Sequence, residues 1–293
     1  MRILHLDAGR EMRGGQWQVL RLLEGLADEG VESTLLARSG APLFASARQR
    51  GWRVAPLSVA RVALYARRHD LVHAHDAHSH TLAALALARP LVVSRRVAFE
   101  IHSRLKYARA TRYIAVSEFV KSVLVRGGVP ADRVRVVYDG VPLLDPAHGN
   151  TVLAPANIDD PRKGASLALE AARIAGVRLQ LSDNLERDLT SAGRFLYITH
   201  SEGLGSGALL AMSAGLPVIA SKIGGLPEII EHRKTGLLVE NDAAEIAAAI
   251  RELQAAPEFA RELGAAARRR VAETFTVREM VRRTMEIYRQ VLI

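Results

Sequence analysis

One segment, residues 196–232, constrains the fold more than any other part of this 293-residue chain; it reads LYITHSEGLGSGALLAMSAGLPVIASKIGGLPEIIEH. The pattern predicts a short apolar strand, a glycine-rich turn, a helix that ends near Gly215, a second buried strand and a second glycine pair. Ser206 is expected to cap the first helix by accepting from its free N–H groups. Helix starts on neighbouring turns of one parallel sheet meet at the edge where such sheets bind ligands, and a helix start favours anions.

The same stretch resembles the signature of the retaining, GT-B-fold glycosyltransferases of family 4, also called group 1. The positions that match, in chain order, are Ser201, Glu202, Gly203, Gly205, Ala211, Met212, Gly215, Pro217, Ser221, Gly224, Gly225, Pro227, Glu228, Thr235 and Gly236. So many positions in register over about forty residues are hard to match by chance. A generic Rossmann-like βαβ unit with glycine-started helices is the alternative interpretation.

The resemblance implies an α/β protein of the GT-B class, with two Rossmann-like domains facing a cleft and a C-terminal helix crossing back onto the first domain. The expected boundaries are 1–143 for an N-terminal acceptor domain, 144–276 for a nucleotide-sugar domain and 277–293 for the crossing helix. Residues 141–150, VPLLDPAHGN, hold two prolines and a glycine without helical or strand period, which indicates a linker.

Roles for individual residues also follow from the resemblance. Glu202 is expected to contact hydroxyls of the donor sugar and is the catalytic candidate. Lys163 is expected at the donor diphosphate, and Arg162 would replace a family arginine whose place falls near Ile158. The loop at Gly14 and Gly15 is expected to face the same phosphates, because a glycine pair lets the backbone approach a ligand. The complete donor-binding set is Gly14, Gly15, Arg162, Lys163, Gly205, Ser206 and Gly207; for Arg162 and Lys163, an exposed basic turn is the alternative.

One position departs from the family pattern. Leu210 stands where the family has a second glutamate, which by resemblance holds the ribose hydroxyls of the nucleotide. Leucine accepts no hydrogen bond, so donor binding should weaken by roughly 1.5–3 kcal/mol if no other group replaces the contact. Two hypotheses follow: an enzyme that holds the ribose otherwise, or a non-catalytic GT-B partner or regulatory protein with weakened nucleotide binding.

Histidines concentrate in residues 69–80, HDLVHAHDAHSH, which contain five of the ten in the chain. His73 and His75 are two apart on a predicted strand and therefore point to the same side, with Asp76 just beyond. These three residues are a conceivable metal set. We favour ligand-lining or structural histidines and expect no metal cofactor, because GT-B enzymes characteristically need none. His75 and Asp76 are candidate acceptor or phosphate contacts.

Basic residues follow the next predicted strand, Leu91–Val93, whose end delivers Arg95 and Arg96 as further acceptor or phosphate candidates. A basic run comes after them, made of Arg104, Lys106, Arg109 and Arg112. The run is either a solvated helix face or a surface for an acceptor or an anionic membrane, and both interpretations stay open.

Charge divides the chain unevenly. Residues 1–150 carry 22 Lys and Arg against 13 Asp and Glu, whereas residues 151–293 carry 18 of each, so the first half holds the whole net charge of +9. We expect an anionic or lipid-linked glycan acceptor, such as a cell-envelope lipopolysaccharide, with peripheral contact to an anionic membrane. A nucleic-acid partner is not expected, because no basic–aromatic motif accompanies the charge.

Location is constrained by what the sequence lacks. The chain has no cysteine and no apolar run of membrane-spanning length, and Asp7 interrupts the apolar start. These features favour a cytoplasmic enzyme. The leading prediction is a retaining hexosyltransferase that moves a sugar from a nucleotide-sugar to a hydroxyl.

Overall fold

The computed structural model describes residues 1–101, 103–156 and 160–293, without the side chains of Arg104 and Pro161. The place of the missing family arginine, near Ile158, and the side chain of Arg104 in the predicted basic run therefore lie outside the described residues. Two compact domains divide the chain. The first comprises Met1–Gly140 together with Val277–Ile293, and the second comprises Val141–Thr276.

Within the described residues, the first domain is built on seven parallel strands with helices between them. The strands are β1 (Arg2–Asp7), β2 (Glu32–Ala37), β3 (Arg53–Pro56), β4 (Leu71–Ala74), β5 (Leu91–Arg95), β6 (Arg112–Ala115) and β7 (Val134–Val136). The helices are α1 (Gly14–Asp28), α2 (Pro42–Gln49), α3 (Val59–Ala66), α4 (Ala77–Leu85), α5 (Arg104–Ala108) and α6 (Glu118–Arg126). The spatial strand order is β3-β2-β1-β4-β5-β6-β7, so the direction of winding reverses between β1 and β4.

The second domain repeats this plan on a smaller scale among its described residues. Its strands are β8 (Thr151–Pro155), β9 (Leu179–Ser182), β10 (Ala192–Tyr197), β11 (Val218–Ser221) and β12 (Leu237–Val239). Its helices are α7 (Ala165–Ala175), α8 (Leu185–Asp188), α9 (Ser206–Ser213), α10 (Leu226–Ile229), α11 (Ala243–Ala255) and α12 (Pro257–Thr274). The parallel strands are ordered β12-β11-β10-β8-β9, and the winding reverses between β8 and β10.

The last helix, α13 (Val277–Leu292), belongs to the first domain although it follows the second in the chain. Its apolar side is a stripe at helical spacing, because Met280, Val281, Met285, Ile287 and Tyr288 are all buried. They share one core with Ile3, Leu22, Leu26, Leu71 and Val92 of the first sheet and α1. The expected fold class, with a C-terminal helix that returns to the first domain, is confirmed.

Side-chain caps set several helix starts. Ser58, Asp76 and Ser117 each accept a hydrogen bond from the first turn of the helix that follows. Each of these residues lies two positions after the end of the preceding strand and holds the turn that leads into the helix. In the described part of the chain, no helix is both long and apolar enough to cross a bilayer.

Candidate functional site

Most of the predicted site residues lie where the winding of a sheet reverses. In the first domain, His75 and Asp76 follow β4, whereas Gly14 and Gly15, which were predicted in a loop after β1, form the first turn of α1. In the second domain, the segments after β8 and β10 carry the other donor-binding candidates, from Arg162 to Gly207. Open α/β sheets leave a crevice at this point, because the flanking loops turn to opposite sides. The topology therefore gives each domain a ligand-binding edge.

An ion pair joins two predicted site residues in the second domain. The ammonium of Lys163 lies 2.9 Å from Oε2 of Glu202, and both side chains are largely shielded from solvent. The hydroxyl of Tyr197, at the end of β10, donates to the same oxygen at 2.8 Å. Burial first, and the Glu202 charge second, raise the pKa of Tyr197 well above its ordinary value, so the phenol stays protonated. Glu202 is held on one side by a cation and on the other by a neutral donor.

Two glycine turns pack backbone against backbone beside this pair. A Cβ atom on Gly225 would lie 2.2 Å from the carbonyl oxygen of Gly203, so only glycine fits there. Gly205 has a φ of +107°, in the region that favours glycine. Helix α9 starts directly after Gly205, and a Cβ on Gly207 would lie 2.9 Å from the Tyr197 ring.

The start of α9 differs from the sequence-based expectation. Ser206 is the first helical residue, the N-cap is Gly205, and no side chain caps the helix. The predicted capping role of Ser206 is therefore wrong, because the left-handed glycine places the serine one position too far into the helix to serve as its cap. Among the residues that the structure describes, no side chain accepts from the first-turn N–H groups, which suits an anionic ligand.

Arg162 lies in the short 3₁₀ segment Pro161–Lys163 and is engaged locally. Its guanidinium makes two hydrogen bonds to Asp160, at 2.9 and 2.8 Å, and these lower the pKa of Asp160 to about 2. Its carbonyl oxygen accepts from the backbone N–H of His200 and from the hydroxyl of Thr199. Arg162 thus connects the segments that follow β8 and β10, with Lys163 beside it. Its predicted contact with phosphate stays a prediction.

Leu210 is buried on α9, with 5% of its surface exposed. Every residue of this helix from Ala208 to Ser213 is buried, so the helix runs through the core of its domain. The leucine therefore packs as a core residue at the position where the family pattern has a hydrogen-bonding carboxylate.

Two carboxylates face each other at the edge of the first domain. Asp7 ends β1 and accepts from the backbone of Gly9 at 2.8 Å and from the amide of Gln16 at 3.1 and 3.2 Å. Asp76 accepts from Ala8 N–H at 2.7 Å and caps α4. Burial, and then the charge of Asp76, raise the pKa of Asp7 to about 6. Backbone contacts thus fix Asp76, while Asp7 titrates close to neutral pH.

The two adjacent arginines at the end of β5 point to different places. Arg96 lies against Gly15 at the domain edge, 3.4 Å from Asp139 and 3.3 Å from the carbonyl oxygen of His75. Arg95 is buried and donates to the carbonyl oxygens of Val97 and Phe99, at 3.1 and 2.7 Å. The structure therefore brings Arg96 to the edge with Gly15 and uses Arg95 to brace the following loop.

A histidine cluster lies beneath this edge, formed by His5, His73 and His75. Nδ1 of His5 is 3.0 Å from Nε2 of His75, and His73 bonds to the Tyr288 hydroxyl at 2.6 Å and to Ser94 at 2.8 Å. Burial lowers the pKa of His5 to about 3 and holds those of His73 and His75 well below the ordinary value. Sequence reasoning grouped His73 and His75 with Asp76 and did not include His5. The sequence does contain a signal for His5, because it lies two residues before the end of β1, on a strand that neighbours β4.

Two family profiles match this chain, one in each domain. The profile of the Glycosyltransferase Family 4 domain matches residues 12–143, and that of the Glycosyl transferases group 1 domain matches residues 176–270. The chain belongs to the family 4, or group 1, glycosyltransferases. The two matches contain Gly14 and Gly15, the turn that follows β4, and the segment after β10 with Glu202 and α9.

Individual relatives are similar in sequence to parts of this family 4 chain. It is 39% identical over 123 residues to alpha-maltose-1-phosphate synthase of Mycolicibacterium smegmatis. The aligned region covers 39% of this chain and 32% of that protein. Over 241 residues it is 27% identical to the MMP alpha-(1->4)-mannosyltransferase of Mycolicibacterium hassiacum, covering 68% of this chain and 57% of the relative. The chain thus spans about a third to somewhat over half of these relatives.

A solved structure shares the fold along nearly the whole chain. Anabaena HepE, crystallised with UDP-glucose, superimposes with a TM-score of 0.88 over 99% of this chain and 100% of HepE. The sequence identity is 17%, so the likeness shows the fold. The family 4 assignment rests on the profiles, and the GT-B fold is supported by the neighbour.

Proposed function

We propose that this chain is a retaining glycosyltransferase that moves a sugar from a nucleotide-sugar to a hydroxyl of an anionic or lipid-linked glycan. The observation that carries the proposal is the Lys163–Glu202 pair beside the uncapped start of α9, at the reversal point of the second sheet. A cation and free N–H groups suit a diphosphate, and a carboxylate suits sugar hydroxyls.

The donor would exchange partners with the ion pair. Its diphosphate takes Lys163 and the first turn of α9, and the negative charge that grows on the leaving group is stabilised there. Glu202, released from Lys163 but still held by Tyr197, accepts hydrogen bonds from the donor sugar. In the first domain, the first turn of α1 at Gly14 and Gly15 and the side chain of Arg96 beside it are proposed to bind phosphate. Transfer by this route requires no metal ion.

Calorimetric titration with a panel of nucleosides, nucleoside diphosphates and nucleotide-sugars tests the donor site. Lys163→Ala should weaken diphosphate binding by roughly 1–3 kcal/mol and leave nucleoside binding unchanged. Lys234→Ala, an exposed lysine of the same domain, is the matched control. Equal diphosphate affinity in Lys163→Ala and the parent would contradict the placement.

Glu202 has a separate test, because its proposed partner is the sugar. Glu202→Gln should abolish most of the transfer measured by nucleotide release, while affinity for the bare nucleoside diphosphate stays close to that of the parent. Both measurements are repeated with EDTA, which should change neither. A Glu202→Gln protein that transfers at the parental rate would overturn the assigned role.

The acceptor side of the proposal rests on one surface of the first domain. The loop braced by Arg95 exposes Val97 and Phe99, and α5 exposes Leu105, whose surface is 83% accessible. Lys106 and Arg109 lie on or next to α5. Apolar side chains beside basic ones suit an anionic lipid surface, where each basic residue contributes about 1 kcal/mol.

Vesicle co-sedimentation tests this surface. The parent should bind vesicles that contain anionic lipid, less at high salt, and not neutral vesicles. Changing Lys106 and Arg109 together to Ser should reduce the part of vesicle binding that is sensitive to salt. Leu105→Ser should reduce the part of the binding that remains at high salt. Lys234→Ser is the control. Indifference to lipid charge, salt and substitution would remove membrane contact from the proposal.

The second candidate, a non-catalytic GT-B partner or regulatory protein, is favoured by the burial of Leu210. It predicts nucleotide binding without release of nucleotide from any sugar donor. The same titration and release assays distinguish it from the enzyme.

A further inference from the structure

Three histidines converge on one face of the first sheet. His5 and His73 are register partners on the adjacent parallel strands β1 and β4, so their side chains share a face. His75 is two residues beyond His73 and returns to that face. The three rings are between 0% and 4% exposed, and one nitrogen from each lies within 4.8 Å of one from each of the others.

The closest pair of ring nitrogens has nearly the spacing that a shared ion requires. Nδ1 of His5 and Nε2 of His75 are 3.0 Å apart. Two ligands of a tetrahedral zinc ion with Zn–N bonds of about 2.0–2.1 Å are about 3.3 Å apart. An ion between these two rings therefore needs only a small separation of the strands. The N–H proton shared by the two rings would move to the other nitrogen of its own ring.

The surroundings supply partners that orient metal-bound histidines. The hydroxyl of Ser33 lies 3.4 Å from Nε2 of His5. The two ring nitrogens of His73 contact Tyr288 and Ser94, so when one nitrogen binds an ion the other keeps its hydrogen bond. Nδ1 of His75 is buried without a hydrogen-bond partner.

We propose that His5, His73 and His75 bind one divalent transition-metal ion of the zinc type. Imidazole nitrogen suits zinc and its neighbours, whereas calcium and magnesium prefer oxygen ligands. The rings are shielded from solvent, and three histidines leave the fourth position of a tetrahedral ion to a water molecule or another small donor. The ion links β1 to β4 and, through Tyr288, reaches α13. It takes no part in sugar transfer, and the inference does not depend on the proposed function.

Cobalt titration of the full chain, freed of any affinity tag and treated with a chelator, tests the site. One Co²⁺ per chain should bind, with the visible absorption of a low-symmetry nitrogen site, and Zn²⁺ should displace it. His5→Gln and His75→Gln should weaken binding by more than about 100-fold, because even outer partners such as Ser94 contribute about 10–100-fold. His78→Gln, an exposed histidine of the same segment, should bind as the parent does.

A second measurement needs no variant. X-ray absorption of the zinc-loaded parent should show imidazole nitrogens at about 2.0 Å. Far-UV circular dichroism shows whether each variant is folded. The proposal is overturned if the parent retains no stoichiometric ion after gel filtration, if the bound ion shows no imidazole ligation, or if folded His5→Gln and His75→Gln bind as tightly as the parent.

Discussion

At the scale of single residues, Leu210 connects packing to ligand binding most directly. Its side chain is 5% exposed within a helix that is buried along most of its length. A carboxylate at this position would lose its hydration, and no described contact shows a partner for it. Restoring the glutamate of the family pattern is therefore not expected to be neutral.

We predict that Leu210→Glu lowers the free energy of unfolding, measured by urea denaturation, by at least about 1–3 kcal/mol. This is the cost of burying a polar group without a hydrogen-bond partner, and a charged group costs more. Leu210→Met, which conserves volume, should cost less than about 1.5 kcal/mol. Unchanged stability together with tighter nucleotide binding in Leu210→Glu would show that this position faces the ligand.

Asp7 is the residue whose titration should be visible in stability. Its pKa in the folded protein, about 6, is above the ordinary value of 3.8, so the folded state binds the proton more tightly. Its contribution to stability is therefore full at low pH and is lost as the pH rises from about 4 to about 6.

We predict that Asp7→Asn becomes more stable than the parent as the pH rises through that window, by up to about 2–3 kcal/mol above pH 6. Taking the difference between the two proteins removes the effect of the buried histidines, which have the opposite sign. Asp70→Asn is the control, since hydrogen bonds from Arg2 lower the pKa of Asp70. A difference between parent and Asp7→Asn that is independent of pH would contradict the assignment.

At the scale of elements, α1 and α13 approach closely at one glycine. A Cβ on Gly25 would lie 2.5 Å from Cγ2 of Val281 and 3.7 Å from Cγ1 of Val277. The first contact is a clash with a residue of the core and the second is an ordinary contact. The glycine is thus required by packing, although alanine is the better helix former by about 1 kcal/mol.

We predict that Gly25→Ala destabilises the protein by about 1–3 kcal/mol through overpacking. Adding Val281→Ala should recover part of that loss, and adding Val277→Ala should recover none. Thermal or urea unfolding of the single and double variants measures the coupling. Equal effects of the two valine changes would mean that the helices do not meet at Gly25.

Element bounds follow from local signals where those signals are strong. The sequence predicts a helix from Ala165 to Ala175, and α7 occupies these residues, with a left-handed glycine at each end. The crossing helix was expected from residue 277, and α13 begins at Val277 after a break at Phe275 and Thr276. The sequence predicts a helix from about Gln16, but α1 begins two residues earlier, at Gly14, because a poor helix former such as glycine gives no local signal for a helix start.

At the scale of the whole molecule, the two domains should differ in acid stability. Burial lowers the pKa values of His5, His73, His75 and His80, all in the first domain, below those of the unfolded chain. The unfolded state then binds more protons below about pH 6.5, and the first domain loses stability as the pH falls. His148, His200 and His232 of the second domain are exposed.

We predict that the first domain unfolds before the second on acidification. Both tryptophans of the chain, Trp17 and Trp52, lie in the first domain, so their emission reports on it alone. The change in emission should occur at higher pH than the loss of far-UV circular dichroism. Urea unfolding at pH 7 is the comparison, because the histidine effect is absent there. Coincident transitions during acidification would contradict the prediction.

The sequence by itself determined the fold class and the position of the donor-domain loops. Alternating strand and helix patterns and the glycine turns at Gly203–Gly205 and Gly224–Gly225 are local signals, and the packing of Gly225 on Gly203 explains why they are glycines. The family resemblance placed Lys163 and Glu202 in one site, and the structure brings them into contact.

Only the tertiary structure decided which distant residues share an environment. His5 and Tyr288 meet the 73–75 segment because a parallel sheet aligns β1 with β4 and because α13 returns from the far end of the chain. The burial of Tyr197 beside Glu202, and the different directions of Arg95 and Arg96, depend likewise on packing between segments. Local sequence patterns do not predict these contacts, because the residues involved are far apart in the chain and close only in space.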